Sequence, residues 1–362
     1  MNKPHAAYVF FFRIAVFALT TLFVFNSHID VRAQTTVPES SDTARGIELY
    51  RQGETIKAIE ALNGAVKKHK DDADAWCYLG LALNRDGHAK NARKAFETAV
   101  KLKPDSALAH TGLAYTLLLA NKSRNAVSEA ERALALNAQN ADAHYIISVV
   151  RLRDHTPSKA LQESAAALQL NANFAAALLV QSQALLGLIM EEHARFLTHP
   201  TKAMPLSKEA QKEHRIATAK RYKEAADSLE KYLKLSPDTA NTNVWREQLE
   251  TLRIYAEIAD KPESERTVFS PDEVTSKYQL LSKPEAQFTD SAREQGINGD
   301  VVLRVILASD GSVKHILVLQ SLSEGLTEQA IKAARKLKFV PASKDGHPVS
   351  MAVTLEYGFR IG

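Results

Sequence analysis

The residues of this sequence that could bind a metal ion or act in acid–base catalysis are its twelve histidines and its one cysteine. His193 and His199 are six residues apart, which places them on different faces of a helix, and no carboxylate completes the spacing of a zinc protease. His315 falls in a predicted strand and His347 in a predicted turn, each with no partner close in the sequence. The chain also lacks a glycine-rich phosphate loop, a Gly-x-Ser-x-Gly nucleophile turn and a kinase signature. We therefore predict no catalytic residue, no cofactor and no metal site, and a protein that is not an enzyme.

The overall composition places further limits on function. The 362 residues are 45% hydrophobic and 24% charged, which is typical of a globular protein of two or three domains. The formal net charge is +4, so there is no electrostatic basis for nucleic-acid binding. The single cysteine, Cys77, excludes an intrachain disulfide and a cysteine-based zinc cluster. We expect it to be a small buried hydrophobic residue.

The amino terminus has the pattern of a secretory signal. Basic residues Lys3 and Arg13 precede the apolar run Ile14–Phe25, and a more polar stretch then ends in Val-Arg-Ala. The sequence predicts that residues 1–33 are a signal peptide and that cleavage falls between Ala33 and Gln34.

The alternative is an uncleaved anchor helix over residues 6–25. That segment is long enough to span a bilayer, but Arg13 would then lie inside it at a cost of roughly 2.5–3.5 kcal/mol at mid-membrane. Both interpretations export the rest of the chain. The protein is then periplasmic, or it is anchored in the inner membrane and faces the periplasm.

A period of thirty-four residues extends over residues 39–237. Its clearest unit has a large aromatic residue, a Leu-Gly pair, small alanines around a phenylalanine and a closing proline: Trp76, Leu79, Gly80, Ala92, Phe96, Ala99 and Pro104. His110 and His144 fall one and two periods after Trp76, so we interpret them as structural repeat positions rather than ligands.

This unit resembles the tetratricopeptide repeat (TPR), in which two helices form a hairpin and successive hairpins stack. Small residues let the two helices approach closely, and the proline marks the turn between units. The sequence therefore predicts an α-solenoid of helical hairpins. The period shifts after the fourth unit, which predicts a lengthened hairpin at about 190–224 and a capping helix over 238–259.

After a predicted linker at 260–280, the spacing of the apolar residues changes from the period of a helix to a period of two residues, which is typical of strands. Alternating strands lie on either side of Asp310-Gly311, a helical spacing covers Leu326–Leu337, and a second Asp-Gly turn precedes a final alternating strand. For residues 281–362 we predict a small α+β domain, a three-stranded antiparallel sheet with a packed helix.

This segment resembles the TonB carboxy-terminal domain. The matching positions, in order, are Lys283–Phe288, Ala292-Arg293, Gly299, Val301–Leu307, Gly311–Val313, Gly325-Leu326, Ala330, Ala333-Ala334, Lys338-Phe339 and Pro341-Ala342. Phe288-Thr289 departs from the tyrosine and proline usual in the family. The resemblance implies an envelope protein that couples to outer-membrane transport receptors.

In that family the last strand pairs with an extended receptor segment. For this sequence the resemblance implies a docking edge at 351–360. Its partner-binding positions would be Met351, Val353, Leu355, Tyr357 and Phe359. Glu356 and Arg360 either protect this edge from pairing with unrelated strands or lie on the solvent-exposed face of the sheet.

The resemblance further implies that the protein is an energy transducer bound to an inner-membrane proton-channel complex, provided that the amino terminus is retained. The repeat stack, which stands where the family has a proline-rich spacer, is expected to bind an accessory protein. The alternative is a soluble periplasmic TPR scaffold with no energy-transducing role.

Overall fold

The computed structural model describes residues 41–198, 208–237, 242–271 and 273–361. The predicted signal segment, with its cleavage junction at Ala33 and Gln34, lies outside the described residues. The described residues form two compact units: the first holds 41–151 and 162–177, and the second holds 152–161 and 178–361.

Paired helices account for the first part of the chain. Helices α1 to α8 are Ser41–Arg51, Thr55–Lys68, Ala73–Arg85, Ala89–Leu102, Ala107–Leu119, Ser123–Leu136, Ala141–Arg153 and Pro157–Leu170. Each is 11 to 14 residues long. The predicted stack of helical hairpins is confirmed.

The helices approach closely around Phe96, whose side chain is fully buried. A β-carbon added to Gly80 in α3 would lie 2.9 Å from its ring, and one added to Gly112 in α5 would lie 2.1 Å from it. The ring of Phe96 thus packs between Gly80 of the preceding helix and Gly112 of the following helix. The sequence period singles out Gly80 but not Gly112, which lies outside the repeated positions.

A repeating cap begins helices α3, α5 and α7, each the first helix of its hairpin. Asp72 and Asn140, two periods apart, each accept a hydrogen bond from the third backbone N–H of the helix that follows, at 2.8 and 3.0 Å. Ser106, halfway between them, does the same at 3.2 Å. Asp72 and Asn140 also bond to the hydroxyls of Thr43 and Thr111, which are again two periods apart.

Three longer helices follow: α9 (Ala175–Thr198), α10 (Lys208–Leu235) and α11 (Thr242–Asp260). The lengthened hairpin predicted at about 190–224 falls on the end of α9, the start of α10 and residues 199–207, which lie outside the described residues. By length and composition α9 is the one described helix apolar enough to cross a membrane, and half of that stretch is buried. The rings of Tyr222 in α10 and Tyr255 in α11 stack with centroids 5.5 Å apart.

The described residues after α11 form seven strands and two α-helices. The strands β1 to β7 are Val268–Phe269, Gln279–Ser282, Gly299–Leu307, Val313–Gln320, Lys338–Val340, Ala342–Lys344 and His347–Phe359. The helices are α12 (Asp290–Glu294) and α13 (Leu326–Arg335). This confirms the predicted α+β class and the predicted order of hairpin, helix and final strand.

The sheet is larger than predicted and is not purely antiparallel. Its order is β1-β7-β3-β4, with β6 also paired to β7, and the β1–β7 pair is parallel. Strands β2 and β5 form a separate antiparallel pair. The predicted three-stranded antiparallel sheet is only its β7-β3-β4 part. The added strands are 2 to 4 residues long, too short to show alternation, and β1 lies inside the predicted linker at 260–280.

Helix α13 packs on one face of this sheet. Alternate residues of β3 and β7 point to that face and form the core with the apolar residues of α13. The Asp-Gly turns join the strands as predicted: Gly311 has φ +83 between β3 and β4, and Asp345 and Gly346 have φ +52 and +81 between β6 and β7.

Candidate docking edge

The two edges of the carboxy-terminal sheet differ in how their backbone groups are satisfied. At the β4 edge, helix α11 takes the place of a strand. The side-chain nitrogen of Gln248 donates to the carbonyl of Ile316 at 3.3 Å, and its side-chain oxygen accepts from the N–H of Val318 at 2.9 Å. The carboxamide of Gln248, which is 6% exposed, thereby bonds to the strand as a peptide group would.

A second side chain of α11 bonds to the same strand. The hydroxyl of Tyr255 donates to the carbonyl of His315 at 3.2 Å. His315 has φ +49, and the pairing of β4 with β3 is irregular beside it, so its carbonyl turns away from the regular ladder. The edge of β4 between residues 315 and 318 is therefore covered within the chain.

The opposite edge is open. Strand β7 pairs with β3 along residues 351–359, whereas β1 reaches only residues 350 and 351 on its other side. Among the described residues, no strand pairs with that side of 352–359. An unpaired stretch of this length is a template for another strand.

The alternation of the backbone identifies which groups face this open side. The side chain of Gln320 donates to the carbonyl of Asp300, so that carbonyl faces β4 and the odd-numbered residues of β3 face β7. The register pairs odd residues of β3 with odd residues of β7, such as Leu303 with Leu355. The N–H and carbonyl groups of Thr354, Glu356 and Gly358 consequently face outward.

The five predicted partner-binding residues lie in the core. Met351, Val353, Leu355, Tyr357 and Phe359 are each at most 6% exposed and belong to the cluster packed against α13. On its outer side this strand therefore exposes backbone groups rather than these side chains. Burial raises the pKa of Tyr357 to about 12, and its hydroxyl is bonded by none of the described residues.

Arg360 faces the neighbouring strand instead of the open side. Its guanidinium bonds both carboxylate oxygens of Asp300, at 2.7 and 2.9 Å, and donates to the carbonyl of Gly299 at 2.6 Å. These bonds fix the end of β7 to the start of β3. Glu356, in contrast, is exposed between the core positions of β7.

The repeat-signature residues hold the hairpin together. Leu79, Gly80, Ala92, Phe96 and Ala99 are buried where α3 meets α4, as the repeat predicts. The ring N–H of Trp76 donates to the carbonyl of Lys70 at 2.9 Å, six residues earlier. Pro104 lies in the turn that leads to α5.

The repeat histidines make structural bonds. One ring nitrogen of His110 bonds to the carbonyl of Pro104 at 3.0 Å, the same six-residue step that Trp76 makes. The other lies 2.6 Å from a carboxylate oxygen of Glu129. His144 lies 2.7 Å from Glu163, one period later.

Three other residues considered for chemistry, Cys77, His315 and His347, lie in α3, β4 and β7. Burial raises the pKa of the Cys77 thiol, which keeps it protonated and unreactive. His347 begins β7, whereas His199 lies outside the described residues. Within the described part of the chain, no group of three His, Cys, Asp or Glu side chains is placed to hold a metal ion.

Comparison with protein families finds matching segments in the repeats and in the carboxy-terminal part. Residues 284–361 match the family model described as the Gram-negative bacterial TonB protein C-terminal domain, and residues 43–107 and 85–123 match a tetratricopeptide repeat model. Both families are protein-interaction modules rather than catalytic domains.

Among known proteins, the chain is similar to the protein TonB of Vibrio cholerae, with 29% identity over 96 residues. This alignment covers 24% of the chain and 39% of the length of that relative.

Solved structures that are similar include MamA, with 21% identity and a TM-score of 0.40 over 52% of this chain and 96% of that one. A thermophilic TPR protein of Thermus thermophilus has 16% identity and a TM-score of 0.40, over 59% and 97%. PilF of Pseudomonas aeruginosa has 16% identity and a TM-score of 0.39, over 57% and 95%.

Proposed function

We propose that this chain, which joins tetratricopeptide repeats to a TonB-type carboxy-terminal domain, is a protein-interaction protein of the bacterial cell envelope. Its carboxy-terminal domain docks an extended segment of an outer-membrane transport receptor along the outer side of β7. Its repeats hold an accessory protein.

The observation that carries this proposal is the difference between the two edges of the sheet. The β4 edge is occupied by Gln248 and Tyr255, whereas the β7 edge presents the outward backbone groups of Thr354, Glu356 and Gly358. An extended peptide that adds to such an edge gains main-chain hydrogen bonds, and its side chains supply selectivity. The chain thus favours one site of strand addition over the other.

The repeats are the second part of this proposal. Residues 43–123 match tetratricopeptide repeat models, and this family consists of protein-interaction modules, which supports an accessory protein as the partner of the repeats.

A second candidate is a soluble periplasmic scaffold with no energy-transducing role. It is favoured by the helical repeats, which occupy the part of the chain where an extended spacer would be needed to cross the periplasm. The inner-membrane proton-channel complex is a partner only if the amino terminus is retained as an anchor.

Site-specific photo-crosslinking in the native envelope tests the docking edge. A photoreactive residue at Thr354, whose backbone faces outward on β7, is expected to form a product with an outer-membrane transport receptor. The matched control is the same residue at Lys314, which is exposed on the covered strand β4. Absence of a receptor product from Thr354, or an equal yield from Lys314, would contradict the proposal.

The amino-terminal residue of the protein isolated from its own envelope separates the two candidates. A soluble chain that begins at Gln34 supports the scaffold. A chain that begins near Met1 and remains in the inner membrane supports the energy transducer.

A further inference from the structure

Strands β2 and β5 form a two-stranded ribbon that is separate from the main sheet. Three large apolar side chains of this ribbon are exposed: Leu280 by 42%, Leu281 by 64% and Val340 by 47%. Neighbouring apolar side chains that remain in contact with water mark places where a protein binds other proteins or membranes. The ribbon is therefore a candidate interaction surface.

The pairing of the ribbon explains why these side chains are exposed. Phe339 of β5 belongs to the core, so its neighbours Lys338 and Val340 point to the opposite, outer face. The register of β2 against β5 shifts at Leu281. A residue at such an irregularity has no regular cross-strand partner, which allows its side chain to project into solvent. The exposure thus follows from the backbone and not from a chance rotamer.

Four exposed lysines lie around the apolar side chains: Lys277, Lys283, Lys336 and Lys338. The antiparallel pairing puts Lys277 at one end of the ribbon and the other three at the opposite end. Residues 277–285 and 336–340 contain a single carboxylate, that of Glu285. We call the three apolar residues and the four lysines the β2–β5 patch. It is apolar in the middle and positively charged at both ends.

The charges of these lysines are not balanced by neighbouring side chains. Lys283 donates a hydrogen bond to the carbonyl of Glu356 at 2.8 Å, and its ammonium lies 4.9 Å from the centroid of the Tyr357 ring, but neither group is an anion. Within the described part of the chain, none of the four lysines forms an ion pair, whereas Lys68 and Lys314 do. The β2–β5 patch therefore lacks the counter-charges found elsewhere on this protein.

This combination is complementary to the surface of an anionic lipid bilayer. Projecting leucine and valine side chains can enter the boundary between headgroups and acyl chains, as those of interfacial segments do. Lysine stems lie along apolar surface while their ammonium groups stay at the level of the lipid phosphates. A second copy of the chain is a poorer occupant, because it would place the same four positive charges against these.

We infer that the β2–β5 patch is a site of peripheral contact with an anionic phospholipid bilayer. This contact goes beyond the proposed docking at β7, since it uses side chains of a different pair of strands. Lys283 bonds to the open edge of β7, so the patch lies next to that edge. Contact with lipid therefore brings the docking edge close to a membrane surface.

Photo-crosslinking of the full-length chain to lipid vesicles tests the inference. An apolar photoreactive residue replaces Leu281, and the yield of lipid adduct is compared between vesicles of phosphatidylcholine alone and vesicles that contain about one-third phosphatidylglycerol. We expect about tenfold more adduct with the anionic vesicles, and this ratio should fall as salt is added. The matched control places the same residue at Ile56, which is 67% exposed in α2 and should show no preference for anionic vesicles.

Charge variants identify the groups that attract the lipid. Lys338→Gln should lower the adduct yield at residue 281 about three- to fivefold, as expected for one lysine near an anionic surface. Lys90→Gln alters an exposed lysine of α4 and should leave that yield unchanged. Circular dichroism verifies that both variants are folded.

Four results would overturn the membrane contact. They are an absence of lipid adducts at residue 281, equal yields from the two kinds of vesicle, an equal loss in Lys338→Gln and Lys90→Gln, and a product with an acidic protein instead of lipid when the same residue is used in the native envelope. None of them alters the receptor product expected from Thr354, so docking at β7 is tested separately.

Discussion

The side-chain oxygen of Gln248 in helix α11 accepts the backbone N–H of Val318 in strand β4 at 2.9 Å. A helix side chain thereby closes a sheet edge that would otherwise be available for pairing. This relationship fastens the carboxy-terminal sheet to the last helix before it and leaves β7 as the edge for partners.

Replacing Gln248 by alanine is expected to open the β4 edge. The N–H of Val318 then loses its acceptor, a change worth about 0.5–1.5 kcal/mol for one hydrogen bond, or about two- to tenfold in local opening. Amide hydrogen exchange at Val318 should accelerate by that factor. Arg246→Ala, which alters an exposed side chain of the same helix, should leave the exchange unchanged. Unaltered exchange at Val318 in Gln248→Ala would show that the contact does not close the edge.

A methyl group added at Gly112 is expected to destabilise the repeats. Its β-carbon would lie 2.1 Å from the ring of Phe96, and overpacking of this kind costs about 1–3 kcal/mol. Gly64→Ala in α2 is the matched control, since nothing lies within 4 Å of its added β-carbon and the change should stabilise by roughly 0.5–1 kcal/mol. The two variants should shift the thermal unfolding of the repeats in opposite directions. A Gly112→Ala protein that melts as high as Gly64→Ala would refute the packing around Phe96.

Tyr357 is expected to make the carboxy-terminal domain sensitive to alkali. Its pKa is raised by burial to about 12 in the folded domain, compared with about 10 when unfolded. A group with a raised folded pKa stabilises fully below the unfolded value, so this contribution should be lost as the pH rises from about 10 to 12. Stability measured across that range should fall less steeply in Tyr357→Phe. An identical pH profile for the two proteins would contradict the burial of this hydroxyl.

The sequence predicts the fold where a pattern is long enough to repeat. The period through Trp76, Gly80 and Phe96 predicts the helical hairpins, and alternation predicts β3, β4 and β7. It does not predict β1 or β6, because strands of two or three residues show no period. The contact of Gly112 is not predicted for a different reason. Gly112 packs against Phe96 but lies outside the repeated positions, so a lone glycine in an apolar helix is its only signal in the sequence.

The candidate site is only partly visible in the sequence. The last strand can be identified as an edge by resemblance, but which of its groups face outward depends on its register with β3. The side chain of Gln248 bonds to the backbone of Val318, 70 residues away, and that of Lys283 bonds to the carbonyl of Glu356, 73 residues away. No local pattern in the sequence indicates such contacts. The sequence leaves open whether Arg360 protects the open edge or lies on the solvent-exposed face of the sheet. In the structure its side chain bonds to Asp300 on the paired side.

The central claim is that the outward backbone of β7 binds a partner strand, and Thr354→Pro tests it most directly. Proline removes the outward N–H of residue 354 while leaving the inward N–H groups that pair with β3, as tolerated on edge strands. Thr354→Val is the control, since it removes the hydroxyl but keeps the N–H. Leu355→Pro, in contrast, should unfold the strand because its N–H faces β3.

The measurement is the affinity of an extended peptide, about seven residues long and taken from the receptor segment that crosslinks to Thr354, for these variants and for the unmodified chain. We predict that Thr354→Pro, with its fold verified by circular dichroism, weakens binding about three- to tenfold and that Thr354→Val does not. A peptide N-methylated at the residue opposite Glu356 should lose affinity for the unmodified protein, whereas methylation one residue along should not, a result independent of how the variants fold. Full affinity of the methylated peptide and of folded Thr354→Pro would contradict docking at β7.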